Sequence, residues 1–297
     1  MRVFVTGASG FVGSAVVQEL LGNGHTVVGL ARSPAAAASI AAAGAEVVHG
    51  SLEDYDSLRR GVAASDGVIH LGFNHDFSRF AENCELDRRA IETIGAALEG
   101  STRPLLTTGG VALLAPNRMA LETDGFKPVS ATFPRASEAA TATLVERGVH
   151  ASLVRLAPST HGMGEHGFVP MLADVARKQG LSAYIGDGEN RWPAVHRLDA
   201  ARLYRLALER GAIGARYHAI GEEGVAFRAI ASAIGDSVGL PVQSVADADA
   251  AAHFGWFAMF AGCDMPASSA ETQRVLGWTP RETGLIDDLG TAGYFSA

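Results

Sequence analysis

Short apolar runs recur along the first half of the chain, and between them apolar residues return every three or four positions. Runs at 1–5, 25–30, 45–49, 67–72, 104–108 and 151–156 read as buried strands; the stretches at 14–21, 35–43, 52–63, 80–98 and 134–147 read as helices. Strands that alternate with helices in this way predict a doubly wound α/β fold, a parallel sheet covered on both faces. Residues 115–133, with Pro116 and Pro128, read as a long loop. Beyond the sixth strand, 168–178 has helical period, 186–190 is a turn, and Asp199 is placed to cap a helix running to Glu209. Shorter helices are expected at 227–238 and 247–254.

The first strand runs directly into Gly7, Gly10 and Gly13 and then into a helix. This spacing lets the chain turn at Gly7, brings bare backbone to a pyrophosphate at Gly10, and packs helix on strand at Gly13, while the helix N-terminus offers free N–H groups. It predicts dinucleotide binding. The second strand ends at Ala31-Arg32, where an acidic residue would bond a ribose 2′-hydroxyl and an arginine accommodates a 2′-phosphate. NADP(H) is therefore the expected cofactor.

Composition narrows the function. Of 297 residues 47% are hydrophobic, enough for a sizeable core, and the net charge of −8 disfavours nucleic acid or an anionic membrane surface as partner. Two cysteines, Cys84 and Cys263, build no disulfide framework and have no metal-ligand spacing, which fits a reducing cytoplasm. No export signal is visible, no apolar run reaches the roughly 20 residues needed to cross a bilayer, and no metal site is expected from His161 and His166.

Residues 6–13, 66–72, the Pro158 and Gly162 pair, 186–190 leading to 195–199, and 276–280 occur in an order that resembles the extended short-chain dehydrogenase/reductases, related to NAD-dependent epimerases and dehydratases. The resemblance implies a Rossmann sheet of about seven strands and a smaller C-terminal lobe that binds substrate. Residues 1–157, rejoined by 191–220, would form the nucleotide-binding part, and 158–190 with 221–297 the lobe. It places Gly7, Ser9, Gly10, Phe11, Val12 and Gly13 around the pyrophosphate, Arg32 at the 2′-phosphate, Ser51 and Leu52 at the adenine, and Leu71, Gly72, Phe73 and Thr107 along the cofactor. It also implies a homodimer through the helix at 134–147.

The departure from that family concerns its chemistry, which rests on a Tyr-x-x-x-Lys pair that exchanges a proton with the substrate oxygen. No tyrosine here has a lysine four residues on. Pro134 or Arg135 falls near the tyrosine position, Glu138 or Ala139 near the lysine, and Thr108 or Gly109 near the usual serine. Replacement candidates are Arg135 as an oxyanion clamp, Glu138 to orient it or relay a proton, His161 at the end of the sixth strand as acid or base, and Ser137 and Thr108 as hydrogen-bonding hydroxyls. His166, Trp192 and His196 are candidate substrate contacts, and the apolar stretch 254–260 is either a pocket wall or core. The reading is an atypical NADPH-dependent oxidoreductase acting on a carbonyl or alcohol of a small, largely apolar molecule. Its alternatives are an NADP(H)-sensing regulator without catalysis and an epimerase or dehydratase of the sugar-nucleotide type.

Overall fold

The computed structural model describes residues 1–295. Its first half is a strict alternation: β1 (Arg2–Thr6), α1 (Phe11–Gly22), β2 (Thr26–Ala31), α2 (Pro34–Ala42), β3 (Glu46–His49), α3 (Tyr55–Ala63), β4 (Gly67–His70), α4 (Phe80–Ala96), β5 (Leu105–Gly110), α5 (Ser137–Glu146) and β6 (Ala151–Leu156). These strands and β10 (Arg216–Ala219) form a seven-stranded sheet in the order β10-β6-β5-β4-β1-β2-β3, parallel throughout. The order reverses direction between β1 and β4, and the crevice beyond the carboxyl ends of those two strands is where such sheets bind ligands.

Both faces of the sheet are buried because β1 is apolar at every position from Val3 to Val5. Val3 and Val5 face α1 and α7 (Arg197–Arg210), while Phe4 faces α3, α4 and α5. Alternation within a wholly apolar strand thus feeds two separate cores. Ser33 caps α2 by accepting from the Ala36 N–H at 3.2 Å, with Pro34 in the first turn.

The remaining elements build a third core. β7 (Ser159–His161), β9 (Arg191–His196) and β11 (Glu222–Ala226) make a three-stranded sheet, and β8 (Ser182–Ile185) pairs with β12 (Val242–Val245). Against them pack α6 (Phe168–Gln179), α8 (Phe227–Val238), α9 (Ala250–Phe254), α10 (Ala258–Ala261) and α12 (Leu285–Leu289). Of the segment 191–220, α7 packs on the large sheet and β10 joins it, whereas β9 belongs to the small sheet.

Asp199 is not the cap expected from the sequence. His196 caps α7, its Nδ1 accepting from the Leu198 N–H at 3.3 Å. Asp199 lies buried one turn inside and accepts from the Arg281 and Glu282 N–H groups at 2.8 and 3.0 Å, while the Trp278 indole, just after α11 (Ala270–Leu276), donates to its carbonyl at 2.9 Å. The 195–199 and 276–280 motifs are therefore two halves of one staple.

Under β6 lies the other polar commitment of the fold. The fully buried Arg155 donates to the Glu138 carboxylate at 2.6 Å, to the Asp124 carbonyl at 2.9 Å, and to His218 Nε2 at 3.2 Å. His218 Nδ1 sits 2.8 Å from the Ser268 carbonyl, so its proton is there and Nε2 is free to accept. Burial, and then the Arg155 charge, push the His218 pKa down to about 4, which keeps the ring neutral. One guanidinium thus ties β6, α5, β10 and the long loop together. Glu138→Ala leaves that charge buried without its partner and should lower the unfolding free energy by about 3–5 kcal/mol in urea titrations; a loss under about 1 kcal/mol would show the pair to be dispensable.

Candidate functional site

The glycine turn fits a dinucleotide by its backbone geometry. Gly7 has φ +69°, and a Cβ there would stand 2.8 Å from the Gly72 nitrogen; a Cβ on Gly13 would fall 1.9 Å from the Gly7 oxygen. Gly10 is the N-cap of α1 and supplies no side-chain cap. The Ser14 N–H bonds the Gly10 carbonyl at 2.8 Å, so the N–H groups of Phe11, Val12 and Gly13, ahead of it in the first turn, lack intrahelical acceptors and are free for phosphate oxygens. Ser9 lies exposed in the same turn. Arg32 lies exposed at the tip of β2 with no hydrogen bond or ion pair among the described residues, and the half-buried Leu52 packs within reach of Gly72. Ser51 spends its oxygen on the turn into α3, accepting from the Glu53 and Asp54 N–H groups at 3.2 and 3.3 Å.

A buried polar chain starts at this turn and was not foreseen. The Gly72 N–H donates to Thr6 Oγ1 at 3.0 Å, and Thr6 Oγ1 lies 2.8 Å from His70 Nδ1. His70 Nε2 lies 3.1 Å from Asp87 Oδ1, whose other oxygen accepts from the Ser137 hydroxyl at 2.6 Å. Ser137 Oγ in turn accepts from Arg135 Nε at 2.7 Å. With a carboxylate at Nε2, the His70 proton belongs there and Nδ1 accepts from Thr6, so every proton in the chain has one place. Burial works against an ionised Asp87, yet the hydrogen bond from His70, the Arg135 charge and the Ser137 hydroxyl together hold its carboxyl below the usual range.

The chain ends at Arg135, two residues before α5. Its guanidinium lies over the Phe73 ring, 3.9 Å from the centroid, and its terminal nitrogens make no hydrogen bond among the described residues. Stacking below and a bond at Nε leave the forked end free and pointed by its supports. Leu71, Gly72 and Phe73, the segment that follows β4, therefore lie between the glycine turn and this cation.

Other candidates are placed elsewhere. Glu138 does not orient Arg135, because Arg155 holds its carboxylate. Thr108 donates its one hydroxyl proton to the His70 carbonyl at 2.8 Å and lies 2.8 Å from the Tyr204 hydroxyl, which leaves it no proton for a substrate. Thr107 faces α5, 2.7 Å from Thr141 Oγ1, and is fully buried, so its side chain does not line the cofactor groove. Trp192 is no pocket wall: fully buried, it packs among Phe168, Phe227 and Phe257 and donates to the Phe260 carbonyl at 3.1 Å. The stretch 254–260 is divided, with Phe254 and Phe257 in the core and Trp256 and Met259 on the surface.

His161 and His196 meet edge to face at 5.3 Å, and His161 Nδ1 is 2.8 Å from Asp288 Oδ2. His161 is buried, so it is an internal fastening between β7 and α12 and not an acid open to a substrate. The exposed His166 stands edge-on to Phe11 with ring centroids 6.0 Å apart, which brings the glycine-rich loop after β7 onto the nucleotide turn. Its neighbour Glu165 bonds the Tyr294 hydroxyl at 2.5 Å, and Tyr294 also accepts from the Gly162 N–H at 3.1 Å. A groove of about 470 Å³ on the outer face of α3 and α4 is lined by Arg59, Arg89 and Arg147, each paired with a carboxylate, and takes no part in this site. No cluster that could hold a metal ion occurs among the described residues, and none of the described helices is long and apolar enough to cross a membrane.

Residues 7–180 match the family model described as NAD(P)H-binding. The chain is 49% identical over 296 residues to an uncharacterized protein of Schizosaccharomyces pombe, spanning 99% of this chain and 100% of that one. It is 29% identical over 318 residues to the 4-hydroxy-2-methyl-3-oxo-4-farnesyl-3,4-dihydroquinoline-1-oxide ketoreductase of Stigmatella aurantiaca, spanning 99% and 92%. Among solved structures, the dTDP-glucose 4,6-dehydratase DesIV of Streptomyces venezuelae with NAD and TYD bound gives a TM-score of 0.77 at 22% identity over 98% of this chain and 95% of that one. That last likeness shows the fold.

Burial of the Glu165 carboxyl pushes its pKa up from 4.5 to about 8. The unfolded chain loses this proton near pH 4.5 while the folded one keeps it to about pH 8, so this group makes stability fall as pH rises through that window. Urea titrations across this range should show the decline and its removal in Glu165→Gln; an unaltered slope in the variant would assign it to other groups.

Proposed function

The chain belongs to the NAD(P)H-binding family, on the fold of the extended short-chain dehydrogenase/reductases, and from that premise we propose that it is an NADPH-dependent oxidoreductase that reduces the carbonyl of a small, largely apolar substrate with Arg135 in place of the family's tyrosine. The observation that carries this reading is the Arg135 guanidinium itself, held over Phe73 and by Ser137 with its fork free beside the segment 71–73.

The first turn of α1 would hold the pyrophosphate and Arg32 the 2′-phosphate. When bound, the nicotinamide supplies the hydride. As that hydride reaches the carbonyl carbon, the π pair moves onto oxygen, and the chain must stabilise an alkoxide. A guanidinium suits this task because it presents two parallel charged N–H donors. The alkoxide takes its proton from water, to which Arg135 is partly open. Asp87 and Ser137 act through Arg135 as positioning groups: the carboxylate, with its Oδ2 4.0 Å from Arg135 Nε, offsets part of the guanidinium charge and fixes its direction without occupying the fork. A regulator that only senses NADP(H) would need the cofactor turn and Arg32 but no such free fork.

NADPH should bind at least about tenfold more tightly than NADH in calorimetric titrations, with the preference lost in Arg32→Ala; equal affinities would remove Arg32 from cofactor selection. Against a substrate found by following NADPH oxidation over a panel of aldehydes, ketones and quinones, Arg135→Met should lower kcat by about 10²–10³ with NADPH affinity kept, and Arg135→Lys should recover only part of the loss. An unchanged kcat in Arg135→Met would exclude the clamp, and tight NADPH binding without turnover on any carbonyl would favour the sensor.

A further inference from the structure

Arg135 stands at one end of a row of rings. Phe73 beneath it lies 5.1 Å from His75 and 6.2 Å from Phe80, Phe80 lies 5.9 Å from Phe77, and Phe77 lies 5.4 Å from Trp256, with the last two planes only 30° apart. The first four residues follow β4 of the large sheet, whereas Trp256 belongs to the short turn after α9, so the row crosses from one half of the molecule to the other. Trp256 is braced from behind by Phe257 at 5.1 Å and Phe260 at 6.1 Å, and Phe257 is itself core. Yet the Trp256 residue remains 55% exposed and Met259 beside it 60%, while Trp192 and Trp278 are buried.

An indole packed against Phe77 on one side and still more than half exposed is an apolar surface that loses little entropy when covered. Along the row the cation Arg79 is already paired with Glu82, so Arg135 is the cation with a free fork there. A sugar diphosphate would meet rings where it needs positive charge. An aliphatic carbonyl would gain burial but nothing from ring faces. Three successive ring contacts separate Phe73 from Trp256, so a molecule that touches both ends is longer than a single ring, and a flat one gains ring faces along the way.

We propose that this row is the recognition wall for a flat aromatic carbonyl compound of at least two fused rings, its oxygen at Arg135 and its ring system along Phe77 and Trp256. The assignment rests on the reading of Arg135 as the carbonyl clamp. Trp256 is then the specificity-determining residue, contributed by the C-terminal half to a site whose cation comes from the nucleotide-binding half.

The test compares 2-acetonaphthone with its fully saturated counterpart 2-acetyldecalin, which carries the same carbonyl on a non-planar body. Calorimetric titration into the complex with NADP⁺ reads binding without turnover, and NADPH oxidation reads turnover. The wall predicts tighter binding of the aromatic ketone, an affinity ratio that falls about tenfold in Trp256→Ala, a smaller fall in Phe77→Leu, and near-complete recovery in Trp256→Phe, which keeps a ring face. A ratio that stays within about twofold of the wild-type value in Trp256→Ala overturns the proposal. The two readings fail separately: Trp256-dependent binding without NADPH oxidation supports the wall and contradicts the oxidoreductase, whereas oxidation of both ketones with no dependence on Trp256 supports the oxidoreductase and contradicts the wall.

Discussion

A carboxylate as deeply buried as Asp87 is tolerable only if its lone pairs are filled, and the fold around the crevice is arranged to fill them. His70 from the last position of β4 takes one oxygen and Ser137 from the first turn of α5 takes the other. Because His70 also meets Thr6, and Thr6 the Gly72 backbone, the same requirement fixes the two loops that border the nucleotide turn. Because Ser137 meets Arg135, it fixes the cation as well. The family's tyrosine and lysine couple a proton donor to its activator. Here one buried acid ties the Arg135 cation, just before α5, to the glycine turn.

The second half of the molecule closes on that site from several directions. The loop after β7 reaches Phe11 through His166, and the C-terminal segment holds that loop through Tyr294, which bonds both Gly162 and Glu165. Arg197, at the start of α7, lies over the other aromatic approach to the same turn, 5.0 Å from the Phe11 ring centroid. Phe11 is thus gripped between a histidine from the loop and an arginine from the sheet layer.

Much of the fold was legible because periodicity reports burial, and burial is what makes these elements. β6 and α8 fall at 151–156 and 227–238 as read from the pattern, and the parallel pairing of the large sheet follows from the alternation of strands and helices. The side-chain partners were not legible, since each comes from a distant part of the chain. Glu138 is claimed by Arg155, Thr107 by Thr141, Trp192 by Phe260 and the staple around Asp199 by residues some 80 positions away. Asp87 did leave a signal: it shares a helical stripe with Cys84, Ala90, Ile91 and Ile94, and a carboxylate on an apolar stripe needs a partner across the interface. His70, a lone polar residue at the end of an apolar strand, was that partner.

Asp87 is proposed to position the Arg135 cation for hydride addition to a carbonyl. The most direct test is single-turnover transfer from NADPH deuterated at both C4 positions, followed by mass spectrometry of the alcohol formed by the wild type and by Asp87→Asn. The wild type should place one deuterium on the former carbonyl carbon, and with NADPH saturating the variant should form the same product at least about tenfold more slowly. A wild-type protein that binds NADPH and delivers no deuterium, or a variant that delivers it at the wild-type rate, would contradict this role.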